Sequence, residues 1–188
     1  EDPVEVVELV EEKNEDLEDE IELVNEAFSP FYKAIGESGE ERIPLTEEDV
    51  VIKEVLDFIN KYEEKVRNIN YEDYTGLEEL DFFHEDVVDD LRTKIEKELD
   101  ESLIYLKEFQ LVSKALGIDE ILELAISENE ESAIVLYTYK FLIENASDGY
   151  LERTDAELNK EYYGSIAMAL KKVDGDWRVV QRQEDPLK

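Results

Sequence analysis

Apolar residues in this chain follow two periods, and the change comes near Gly117. Before it they recur at helical spacing. Leu17, Ile21, Val24 and Phe28 stand at i, i+4, i+7 and i+11, one face of a helix. Pro30 should end or kink that helix, and Phe31, Tyr32 and Ile35 extend its apolar face towards Gly36. The stretch GESGEERIP at 36–44 reads as a loop. Thr46 followed by Asp49 resembles a capping box, and Val51, Val55, Phe58, Ile59, Tyr62 and Val66 then predict an amphipathic helix over 47–68. NINYEDYTG breaks it. Val88, Leu91, Ile95, Leu99, Leu103, Leu106 and Phe109 predict a second long helix over 85–116, with Gly117 as its stop.

Beyond Gly117 the period becomes two. Leu122, Leu124 and Ile126 share one face of a first strand over 121–127. Val135, Tyr137, Tyr139, Phe141 and Ile143 share one face of a second, over 133–143, rich in β-branched and aromatic residues. NASDG is a turn. Tyr162, Ile166, Met168 and Leu170 alternate along a third strand, where Gly164 suits a bulge or tight bend. Asp174-Gly175 turns the chain into a fourth, WRVVQRQ, whose Trp177 and Val179 face the same way. The segment 151–161 is open between a continued strand and a loop. Helices followed by strands predict an α+β domain in which N-terminal helices pack on a curved four-strand antiparallel meander, with an extra helix ahead of them. The division expected is an acidic helical segment at 1–45 and the α+β domain at 46–188.

Charge changes this picture at one end. Residues 1–30 hold 13 acids and one base, Lys13, so the apolar stripe from Leu17 to Phe28 sits in a strongly negative segment. That stripe must be buried on the domain or on a second copy. The 188-residue chain carries 53 acidic and 20 basic residues, a net charge of −33, which repels nucleic acid and anionic lipid. It favours weak cation binding, basic protein surfaces or high salt. No run of apolar residues is long enough to span a membrane. Cysteine is absent, which excludes disulfides, thiolate metal sites and cysteine nucleophiles. With a start reading EDPVEV, the expectation is a processed, extracytoplasmic protein.

Three parts of the sequence carry a resemblance. The helix at 47–68, the hairpin YTYKFLIENASDG and the closing VDGDWRVVQ together resemble the nuclear-transport-factor-2-like superfamily. Ile69-Asn70-Tyr71 and Asp73-Tyr74, ahead of a Lys/Glu-rich helix and a Tyr-rich hairpin, are similar to C-terminal domains of teicoplanin-resistance-associated bacterial surface proteins and lipoproteins. The resemblance covers roughly 47–182. It implies a cone-shaped, cystatin-like α+β fold with one open end, and a non-catalytic binding or spacer role outside the cytoplasm.

Candidate chemistry is sparse. His84, the only histidine, starts a helix beside Glu85 and Asp86 and reads as a first-turn residue, since a metal site would need carboxylates alone to complete it. Asp86, Asp89 and Asp90 lie at i, i+3 and i+4 without the Gly and loop carbonyls of a calcium loop, so they read as acids complementing the helix dipole. No nucleophile elbow or phosphate-cradling loop is present. No metal ligands, catalytic residues or cofactor are assigned. Tyr137, Tyr139 and Tyr162 are the candidate pocket lining, against the plainer reading of sheet-face packing. The leading expectation is an extracytoplasmic binding or spacer module, with a protein partner or homodimer. The alternative is a small-molecule binder or acid–base enzyme using the cone. A buried carboxylate near Tyr137 or Tyr139 would favour that alternative, and a cone plugged by helix side chains would favour the module.

Overall fold

The computed structural model describes residues 29–36, 39 and 41–185. Two short strands come first, β1 (Phe31–Ile35) and β2 (Glu41–Pro44), then helix α1 (Val50–Arg67) and the two-residue β3 (Ile69–Asn70). A single 3-10 turn (Leu80–Phe82) leads into the long helix α2 (Glu85–Phe109). The remaining elements are β4 (Val112–Ser127), β5 (Ser132–Asn145), the short helix α3 (Asp148–Thr154), β6 (Glu161–Val173) and β7 (Asp176–Asp185).

The class is α+β, but the expected four-strand antiparallel meander under helices is not what forms. Strands dominate, in one mixed seven-stranded sheet ordered β2-β1-β4-β5-β6-β7, with β3 paired to the start of β4. β1 forms an antiparallel hairpin with β2 and runs parallel to β4, matching Phe31 to Leu124 and Lys33 to Ile126, while β4 to β7 follow one another as antiparallel neighbours. The helix expected over 17–35 lies outside the described residues as far as Phe28. Its continuation, Phe31–Ile35, is a strand, because pairing with β4 offers its backbone a ladder that a five-residue helix beside Pro30 lacks.

The second helix also ends early. Gln110 adopts a left-handed conformation and closes α2, its N–H donating to the Leu106 and Lys107 carbonyls. Gly117 does not stop a helix. With φ of 92° it sits in β4, at a register irregularity between Ala115 and Gly117.

Further irregularities bend β4 strongly. Ile118, Ile121, Leu124 and Ile126 stand opposite Tyr139, Tyr137, Val135 and Ala133. Over the first two intervals three residues of β4 match two of β5, so each extra residue is absorbed as a bulge. The sheet therefore curls around α1, whose Val51, Ile52, Val55, Ile59 and Tyr62 are buried against it. A second, smaller cluster forms at the other end from Leu106, Leu111 and Ile143, with Phe141 packing against both clusters.

Asp174 and Gly175 have φ of 52° and 91°, the two positive values of a tight hairpin turn. Trp177 behind them is buried with Val179 in the main core. Its Nε1 has no acceptor among the described residues, and the Lys172 ammonium lies 5.4 Å from the ring centroid. His84 caps α2, its Nδ1 accepting from the Asp86 N–H at 3.1 Å. Gly164 causes no bulge; β5 and β6 stay in register past it. It is glycine because the Tyr139 ring lies across it, and an added Cβ would fall 2.3 Å from that ring.

Two substitutions test this packing. Trp177→Ala is expected to cost about 3–5 kcal/mol of stability. Gly164→Ala is expected to cost about 1–3 kcal/mol by displacing the Tyr139 ring. Both are read by denaturant unfolding, and a Gly164→Ala variant as stable as the parent would remove the ring contact from the account.

Candidate functional site

The buried face of α1 carries a charged group where its helical period would place an apolar one. Glu63 follows Ile59 by four residues and is 1% exposed. Such a group must be paired. Arg67, one turn further on, places Nε 3.0 Å from Glu63 Oε2, and the Tyr137 hydroxyl donates to Glu63 Oε1 at 2.7 Å. Burial pushes the Glu63 carboxyl above the usual carboxylate range, against the downward pull of Arg67 and Tyr137. Burial likewise disfavours the charge on Arg67, but Glu63 and Glu184 outweigh it and hold the guanidinium protonated. Burial and the adjacent carboxylate raise the Tyr137 phenol, which stays a neutral donor.

From this pair the network runs across to β7. Arg67 Nη2 lies 2.8 Å from Glu184 Oε1, close enough to pair though not aligned as a hydrogen bond. The Tyr139 hydroxyl donates to the same oxygen, and its ring lies 4.1 Å beneath the Arg67 guanidinium. Arg182 bridges Glu184 at 3.1 Å and Glu79 at 2.8 Å, and Glu79 accepts from Tyr62 at 3.2 Å.

One irregularity makes this possible. Met168 and Ile166, on the inner face of β6, oppose Arg182 and Glu184, while Leu170 opposes Val179. Val180 is the extra residue, and it switches the alternation so that Trp177 and Val179 face inward before it and Arg182 and Glu184 after it.

A pocket of about 510 Å³ opens beside the network. Arg67, Tyr139 and Glu184 contribute its polar part, and Ile69, Leu111, Phe141, Ile143 and Tyr150 contribute apolar surface. Asp185 borders it too, but its carboxylate turns to Ser165 on the outer face, 3.5 Å away. A larger groove of about 590 Å³ beside α1 is lined by charges of both signs, including Lys61, Lys65, Asp73 and Asp81, and lacks such an apolar wall.

The three tyrosines singled out from the sequence separate here. Tyr139 reaches the pocket; Tyr137 is wholly buried on Glu63. Tyr162 packs on Phe141 at a centroid distance of 5.8 Å and accepts from the Glu157 N–H at 2.7 Å, in the smaller cluster. Glu63, Arg67, Arg182 and Glu184 escaped sequence reasoning. An acid on the apolar stripe of a helix with Arg four residues later was the available signal for the first two. Among the described residues no three His, Asp or Glu side chains gather as a metal site, and no helix is long and apolar enough to cross a membrane.

No family model matches the chain, and no curated protein matches it. Among solved structures, the intermembrane space region of the chloroplast protein ARC6 overlays with a TM-score of 0.38 at 10% identity, covering 75% of this chain and 98% of that one. An overlay this loose defines no shared fold.

The buried pair makes a pH-dependent prediction. The folded-state pKa of Glu63 lies above its unfolded value, so its contribution to stability is complete below the unfolded value and is lost as pH rises through the folded one. The stability of the parent relative to Glu63→Gln should therefore fall as pH rises above about 4.3. Arg67→Met, which strands the carboxylate, should cost about 3–5 kcal/mol at neutral pH. Adding Glu63→Gln to Arg67→Met should recover part of that loss. Additive effects in this cycle would show that the two residues do not act as a pair.

Proposed function

We propose that this chain is a non-catalytic binding module whose pocket beside Arg67, Tyr139 and Glu184 takes a small apolar molecule or the apolar side chain of a protein partner. The observation carrying the reading is the state of Glu63. This carboxylate, the most deeply buried among the described residues, is spent on Arg67 and Tyr137 and does not line the pocket. Glu184, which does line it, is held by Arg67, Arg182 and Tyr139. A ligand there meets apolar walls and a polar floor whose charges already have partners. Such a floor orients a guest and offers no free base. The absence of cysteine and the resemblance to surface-protein domains support placing the module outside the cytoplasm.

One observation favours an acid–base enzyme. Glu63 has a raised pKa and touches a tyrosine hydroxyl, a pairing suited to proton transfer. Its nearly complete seclusion weighs against that role, because a general base must come within hydrogen-bond reach of its substrate.

The neutral fluorophore N-phenyl-1-naphthylamine tests the pocket. It should bind the parent with a fluorescence gain, and Ile69→Trp, which fills the apolar wall, should weaken it about tenfold or more at an unchanged melting temperature. Equal binding to both proteins would place the apolar site elsewhere.

A further inference from the structure

The acids of this chain are unevenly spread, and two strands have almost none. From Ser132 to Leu142 and again from Tyr162 to Val173 there is no Asp or Glu, in a chain with 53 of them. The inward half of these strands is core. The outward half of β5 and β6 is also free of acids: Ile134 lies between Ala125 and Ala169 on the neighbouring strands, Leu136 between Glu123 of β4 and Ala167, and Thr138 between Glu120 of β4 and Ser165. Ile134 is 59% exposed. Thr138 Oγ1, on the same face, is buried without a partner among the described residues. Bases stand at the margins, Lys171 opposite Ser132 and Lys140, paired with Asp119 at 3.1 Å, opposite Tyr163. A solvated sheet face normally alternates charged residues outward. Here the outward positions are suited to cover by another layer.

We propose that this face is covered by residues 1–28 of the same chain, packed through Leu17, Ile21, Val24 and Phe28. Three observations select this occupant over others. The segment holds 13 acids against one base, so in a chain of net charge −33 it is repelled least where β5 and β6 themselves carry no acid, with Lys171 at their margin. It joins the fold beside that face: the Pro30 carbonyl accepts from the Leu124 N–H at 2.7 Å, and Ala125, next along β4, is register-matched to Ile134. Its apolar stripe also fits. As a helix, the run from Leu17 to Phe28 is about 17 Å long, against a strand spacing of about 4.8 Å, so it covers three to four strands. A second copy of the chain would instead bring two bodies of net charge −33 together.

The chain has no cysteine, so introduced pairs report without ambiguity. In the full chain, Val24→Cys combined with Ala169→Cys should oxidise to an intramolecular disulfide. Its rate should exceed that of Val24→Cys with Ile104→Cys, on exposed α2, by about tenfold or more, the gain of docking over mere tethering. Ile134→Asp in the first pair should slow closure about tenfold. Equal rates for the two pairs, indifference to Ile134→Asp, or disulfides between chains at Ala169 would each overturn the proposal, the last in favour of a second copy.

Discussion

A carboxylate carried into the core by a helix must meet a cation there, and much of this structure is arranged around that meeting. Glu63 lies on the buried stripe of α1, and Arg67 answers it from one turn further along the same helix. A helical pair of this kind adds little on a surface. Here it is enclosed, so the geometry of everything touching it matters. Tyr137 must donate from β5, Tyr139 must lie flat under the guanidinium, and Gly164 must lack a side chain so that Tyr139 can do so. Arg67 also brings Glu184, and Glu184 brings Arg182 and Glu79. Two arginines and three glutamates thus tie α1, the turn before α2, and β7 into one electrostatic unit.

Two departures from regular strand geometry set the position of this unit. The bulges of β4 curl the sheet so that the ends of β4 and β5 rise past the end of α1, where Phe141 separates the main core from the smaller cluster. The extra residue at Val180 turns the last part of β7 so that its charges point inward. Without the first there is no pocket wall, and without the second there is no polar floor.

Legibility in the sequence followed locality. Three strands, the Asp-Gly turn and the burial of Trp177 were readable because alternation and turn chemistry are local signals. α1 was readable from its stripe, although the same stripe hid Glu63, which apolar counting passes over. β1 was not readable: Phe31, Tyr32 and Ile35 fit a helix equally well, and only pairing with β2 and, far along the chain, with β4 makes them a strand. The start of β4 failed for a related reason. Ile118, Ile121 and Leu124 are three apart, a spacing that suggests a helix and that a strand satisfies only by bulging. The candidate site was legible in Tyr139 alone, since its charged members meet through β7's break in alternation.

The parallel pairing of β1 with β4 has a consequence for the order in which the chain assembles. The antiparallel strands from β4 to β7 are joined by short connections or one small helix, so each finds its neighbour at little cost in loop entropy. Phe31 must find Leu124 across the whole of α1 and α2. Contacts of such long range form slowly, and they depend on a template that already exists. The β4–β7 hairpins are that template, and β1 with β2 joins last. On this order of assembly, the same edge is the one expected to open first.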